Sequence, residues 1–150
     1  MTITGGSPDT EIGGGIRALD GSLRLETCAV SGNELPTASP GVAIYSMSDA
    51  PGDLTEIVDS WITDNTGPHT ALVLRTTRIE RSTVSGNTRD TIGSAVDLYG
   101  AGSLLLNSTL GGNVGPAGSF ALVIHNTGTE IEGCTPTNQG GPALSVAAGA

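Results

Sequence analysis

Ser82-Thr83-Val84-Ser85-Gly86-Asn87 is the stretch that decides the fold, because the chain spells variants of it four more times. They read Cys28-Ala29-Val30-Ser31-Gly32-Asn33, Ser60-Trp61-Ile62-Thr63-Asp64-Asn65, Ser108-Thr109-Leu110-Gly111-Gly112-Asn113 and Cys134-Thr135-Pro136-Thr137-Asn138, the last one residue shorter. Each has a small residue, a spacer, an apolar residue and a turn closed by asparagine. From Asn33 the steps to Asn65, Asn87, Asn113 and Asn138 are 32, 22, 26 and 25 residues. Self-similarity at such a period marks a repeat architecture in which each unit buries its apolar face against the next.

Two further columns repeat in the same order. Ile16, Ile44, Leu72, Val96, Leu122 and Leu144 follow one another at steps of 28, 28, 24, 26 and 22 residues. Leu25, Ile57, Ile79, Leu105 and Ile131 each stand three residues before the small position of the motif. Three columns per repeat predict three short strands per coil, each alternating inward and outward with period 2. Stacked coils bring column mates to about 4.8 Å along the axis and line one continuous core. Asn33, Asn65, Asn87, Asn113 and Asn138 are then expected to form a vertical ladder, bonding the backbone and one another at a buried turn. The spaced-leucine consensus of leucine-rich repeats is absent. The expected fold is all-β: a single-stranded parallel β-helix (solenoid) of about five coils plus partial coils at both ends. Residues 1–150 are read as one domain.

Ile3-Thr4-Gly5-Gly6 fits Val30-Ser31-Gly32-Asn33, so the chain is expected to begin inside a coil. It is likewise expected to stop just after the first strand of another. No polar cap is legible at either end, and a fragment of a longer repeat protein is the expectation.

Composition agrees with short strands and frequent turns: Gly and Pro number 23 and 8, while aromatics make up 3%. All six cations are arginine and the net charge is -9. An acidic chain repels phosphate backbones, which argues against nucleic-acid partners. No apolar run reaches the roughly 18 residues of a membrane span, so direct membrane insertion is not expected. The N-terminus lacks the basic and apolar regions of a signal peptide.

Gly13-Gly14-Gly15-Ile16 together with Ser82-Thr83-Val84-Ser85-Gly86-Asn87 resembles coils of the right-handed parallel β-helix proteins of the pectin-lyase-like superfamily. The similarity is greatest to bacterial cell-surface repeat proteins, and it covers nearly the whole chain. It implies a right-handed solenoid, consistent with the general hand of parallel crossovers, and an extracellular or cell-surface location with leader and anchor outside this chain. The family includes polysaccharide lyases, hydrolases, tailspikes and adhesins, and fold alone does not choose among them.

Family enzymes cut polysaccharide along an outer face of the stack. The register puts Arg75, Asp97, Tyr99 and His125 outward on three consecutive coils, neighbours about 5 to 7 Å apart. A lyase needs a cation for the uronate carboxylate, a base for the α-proton and an acid; Arg75, His125 and Tyr99 fit those roles. A merely solvated polar face is the alternative, favoured by Val73 and Val123 in the same strands. The paired carboxylates of an inverting hydrolase are missing. Asp49, Asp53, Asp59 and Asp64 are too dispersed for a calcium site, and no metal or cofactor is implied.

Cys28 and Cys134 fall in one column four coils apart, about 19 Å at the strand spacing, beyond disulfide reach. They are expected as small core residues equivalent to Ser60, Ser82 and Ser108. The sequon Asn107-Ser108-Thr109 falls inside the repeat motif and is explained by it. Trp61 is expected to point outward. It would either stack on a sugar or anchor an interface, as could Tyr45, or lie beneath the insertion Asp49-Ala50-Pro51-Gly52-Asp53; the covered Trp61 is the favoured reading.

The function expected is a non-catalytic extracellular or cell-surface solenoid, a rigid structural or adhesive module for polysaccharide, cell-surface glycan or protein. The alternative is a lyase-like carbohydrate-active enzyme fragment centred on Arg75, Asp97, Tyr99 and His125.

Overall fold

A computed structural model describes residues 1–7, 12–36, 40–91, 93–139 and 141–146. Over them the chain is an all-β parallel solenoid of about five turns, without helices. Every coil visits three sheets in the same order.

The first sheet stacks Ile16–Ala18, Ile44–Ser46, Leu72–Leu74, Ser94–Leu98, Phe120–Ile124 and Leu144–Val146. The second stacks Leu23–Glu26, Thr55–Val58, Thr77–Glu80, Leu104–Leu106 and Glu130–Glu132. The third stacks Thr2–Ile3, Ala29–Ser31, Trp61–Thr63, Thr83–Ser85, Thr109–Val114 and Thr135–Gln139, and Thr66–Gly67 and Thr88–Arg89 extend it sideways. All pairings are parallel, and the registers align the predicted columns residue for residue. Ile16, Ile44, Leu72, Val96, Leu122 and Leu144 share one file. Leu25, Ile57, Ile79, Leu105 and Ile131 share a second.

These files meet a third, from Ile3 through Val30, Ile62, Val84 and Leu110 to Pro136. Ile44, Ile57, Ile62, Leu72, Ile79, Val84, Val96 and Leu105 have no exposed surface. Full burial of such a side chain contributes about 1.5–3 kcal/mol, which makes this cylinder the main source of stability.

Two left-handed corners bend each coil. Just before the small position lie Thr27, Asp59, Arg81 and Asn107, with φ of 53, 49, 47 and 49°, and then Gly133. A left-handed non-glycine residue costs about 1–2 kcal/mol, so neighbouring contacts must offset it. The next residue supplies them. Ser60, Ser82 and Ser108 donate their hydroxyls to Val58, Glu80 and Leu106 carbonyls at 2.7, 2.8 and 2.8 Å, clamping the corner. The same hydroxyls accept the Cys28, Ser60 and Ser82 amides of the preceding coil at 3.1 Å each. A second axial ladder therefore runs beside the core.

Cys28 and Cys134 occupy the two ends of this file and are free thiols. Their Sγ atoms contact the Glu26 and Glu132 carbonyls at 3.2 and 3.4 Å, as the serine hydroxyls do. Ser82→Ala strands the buried Ser60 amide and is expected to lower the unfolding free energy by about 1–2 kcal/mol. Ser82→Cys should lose less than half as much, since a thiol already fits this corner. Urea denaturation of both variants checks the order.

The second corner precedes each ladder asparagine and holds Gly5, Gly32, Asp64, Gly86 and Gly112 at positive φ. The shorter motif at Cys134 drops this residue, and the register shifts between Leu110 and Asn113 as a result. The asparagine ladder runs unbroken from Asn33 to Asn113. Asn33, Asn65 and Asn87 donate Nδ2 to Oδ1 of Asn65, Asn87 and Asn113 at 2.9, 2.8 and 2.9 Å. Their backbone amides reach the same oxygens at 3.0, 3.1 and 3.1 Å. Asn138 stands opposite Asn113 in register, and its side chain lies outside the described part. Gly6 takes the asparagine place at the other end and donates its amide to Asn33 Oδ1 at 3.0 Å.

Candidate functional site

The first sheet carries Tyr45, Asp97, Tyr99 and His125 on its outer side. Asp97 lies between Val73 and Val123 in register. Tyr99 and His125 stack face to face, with ring centroids 4.0 Å apart and planes 4° from parallel. His125 Nε2 is 3.5 Å from Asp97 Oδ1 but buried without a hydrogen bond. The two groups attract electrostatically only when the imidazole is protonated.

Asp97 is already occupied. Its Oδ1 accepts the Ser94 hydroxyl at 2.6 Å and its Oδ2 the Thr70 hydroxyl at 3.0 Å. Burial pushes the Tyr99 phenol above its usual range, and the Asp97 charge adds to the rise. Arg75 does not join the group: its guanidinium pairs with Asp49 at the start of the inserted loop. The structure thus brings together three of the four expected residues and removes the cation.

Sequence reasoning missed the cation that is near. Arg89 is 4% exposed and donates Nη2 to the Phe120 carbonyl at 2.9 Å. Burial lowers its pKa, partly countered by Asp97. An arginine so enclosed ties adjacent coils together and cannot reach out to a substrate. No pattern in the repeat distinguishes it, because Arg89 follows the ladder turn where other coils carry Leu35 and Gly67.

The four aspartates read as dispersed in the sequence each serve locally or face solvent. Asp53 accepts the Gly21 amide at 3.0 Å and also the Ser48 hydroxyl. Asp59 takes Arg81 through two contacts of 2.8 Å, which holds its carboxyl below the usual range. Asp49 holds Arg75, and Asp64 is exposed beside the asparagine ladder.

Trp61 corrects an expectation. It is 51% exposed, and the 49–53 insertion does not cover it. The loop leaves between the first and second sheets and is fastened there through Gly21, Ser48 and Arg75. Trp61 belongs to the third sheet, whose outward row runs Ala29, Trp61, Thr83, Thr109 and Thr135. A parallel row holds Ser31, Thr63, Ser85, Gly111 and Thr137. Neither row contains an ionisable side chain. The outward row of the second sheet contrasts with them: Arg24, Glu56 and Arg78 alternate in charge and are followed by Leu104 and Glu130, and Arg24 meets Glu56 at 2.7 Å. Tyr45, the other aromatic considered for binding, lies on the first sheet between Arg17 and Val73. The two aromatics therefore cannot serve one flat surface.

Comparison with protein-family models, with curated proteins and with solved structures finds no match to this chain, so what is shown of its kinship is the parallel β-solenoid itself.

Proposed function

We propose that this chain is a non-catalytic solenoid module of the extracellular space or cell surface, a rigid rod that adheres to glycans or surface proteins. Its affinity with the surface repeat proteins of the pectin-lyase-like superfamily, right-handed coil included, is part of the same proposal. The observation that carries it is the engagement of the would-be catalytic groups. Both Asp97 oxygens accept hydroxyls and Arg75 is bound to Asp49. A lyase needs its cation free to neutralise a uronate and its base positioned on the α-proton; here Asp97 and Arg75 answer to their neighbours in the fold, and the His125 ring is stacked on Tyr99.

The direct test is to incubate the chain with polygalacturonate, alginate and glucuronan and follow the ultraviolet absorbance of an unsaturated uronate product. A flat trace is expected. Product formation that disappears in His125→Ala would overturn the proposal and install the lyase reading. An array of neutral and acidic glycans then checks the adhesive part.

A further inference from the structure

We propose that the outer side of the third sheet binds a linear, uncharged polysaccharide laid along the solenoid axis, with one sugar ring stacked on the indole of Trp61. This rests on the adhesive reading above and names its ligand class and its site.

Trp61 is the only tryptophan in the chain, and the fold makes little use of it. Its file mates are alanine and threonine, which the corner and the core accept equally well, yet an indole stands half-exposed there. A large aromatic with an apolar face and a polar edge suits a partner of the same mixed character. A pyranose ring has that character, with C–H faces and a hydroxyl rim.

Charge chooses the kind of sugar. The chain carries a net charge of -9, while the two rows around Trp61 are uncharged and mostly hydroxylated. Asp64 flanks the sheet at the ladder corner and is exposed. A uronate chain would meet this carboxylate without a free cation to offset it. A neutral chain meets hydroxyls.

The edge of the platform is furnished as well. Asp59 and Arg81 stand two residues before Trp61 and Thr83 and form a bidentate pair at 2.8 Å. Their side chains remain 42% and 49% exposed. Arg81 also reaches Glu80, so the edge is a carboxylate-rich cluster of planar donors and acceptors, which suits the rim hydroxyls of a neutral ring on the adjacent indole and repels an anionic one.

Spacing completes the fit. Successive coils advance about 4.8 Å and two advance about 9.6 Å, close to the length of a disaccharide in an extended glycan. A chain anchored at Trp61 therefore passes Thr83, Thr109 and Thr135 in step.

The single indole makes the test direct. Cellohexaose, xylohexaose and, as the anionic probe, hexagalacturonate are titrated into the intact chain, with tryptophan emission and calorimetry read in parallel. A neutral hexamer should shift the emission to the blue and shield it from acrylamide. Trp61→Ala and Thr83→Glu should each weaken calorimetric binding at least tenfold, with circular dichroism showing the fold intact. Arg78→Gln, on the second sheet, should leave it unchanged. Tighter binding of hexagalacturonate, or a dissociation constant untouched by Trp61→Ala, overturns this site while leaving the adhesive reading in place. Silence of every probe in calorimetry and on the array overturns this site together with the glycan part of the adhesive reading, whereas capture of a protein through Trp61 without any glycan signal overturns the site and leaves adhesion to surface proteins in its place.

Discussion

Asn87→Ala is expected to lower the unfolding free energy by roughly 4 kcal/mol. Asn87 is 1% exposed and sits in the middle of the ladder. Its Oδ1 takes the amide and the Nδ2 of Asn65 at 3.1 and 2.8 Å. Its Nδ2 reaches the Ile62 carbonyl at 2.9 Å and Asn113 Oδ1 at 2.9 Å. Truncation leaves at least one buried donor and one buried acceptor unpaired, each costing about 1–3 kcal/mol, and opens a cavity besides. Asn87→Asp keeps the shape and the acceptor but loses the donor, and buries a charge. It should be at least as damaging at neutral pH and recover part of the loss when acid protonates the carboxyl. Urea denaturation at neutral and acid pH, referred to the parent chain at each pH, separates the two variants.

Gly100→Ala is expected to cost about 3 kcal/mol for a different reason. Gly100 follows the strand Ser94–Leu98 and lies over the turn of the coil below. A Cβ built there would fall 2.0 Å from the Thr76 amide nitrogen and 2.4 Å from the Arg75 carbonyl carbon. Both are backbone atoms and cannot step aside as a side chain would, so the coils must part locally. Gly93→Ala is the control. Its Cβ would meet only ordinary contacts, at 3.5 Å from Thr70 Oγ1, and its stability should stay within about 1 kcal/mol of the parent. Denaturation midpoints of the pair, with near-ultraviolet dichroism reporting the stacked Tyr99 and His125, test the contrast.

The three apolar files were legible because inward positions on a strand recur with period 2 and each coil repeats the same order. Ile57, Ile79 and Leu105 need no partner beyond their own kind, so their pattern survives insertion and deletion in the turns. The asparagines were legible too, since a polar residue recurring at a fixed place within each coil has few explanations other than a buried turn. The left-handed corner at Thr27, Asp59, Arg81 and Asn107 was not. Coil geometry imposes that conformation on whatever residue arrives, and four different side chains leave no common chemistry to read. Ser60, Ser82 and Ser108 looked merely small, and their hydroxyls turn out to serve as acceptors for the amide one coil away. The error over Trp61 came from reading the length of the 49–53 insertion without its place: it joins the first sheet to the second, and Trp61 lies on the third. Arg75 was placed correctly along its strand, but an exposed guanidinium takes the nearest carboxylate, and Asp49 in the loop is nearer than Asp97.

The backbone amides of both ladders point one way. Cys28, Ser60 and Ser82 give their amides to the coil that follows in the chain, and so do Asn33, Asn65 and Asn87. A turn of this kind thus carries donors whose acceptors belong to the next repeat. In hydrogen-bond terms each of these corners is closed only when the repeat after it is in place, so the neighbour on the C-terminal side is part of what holds it.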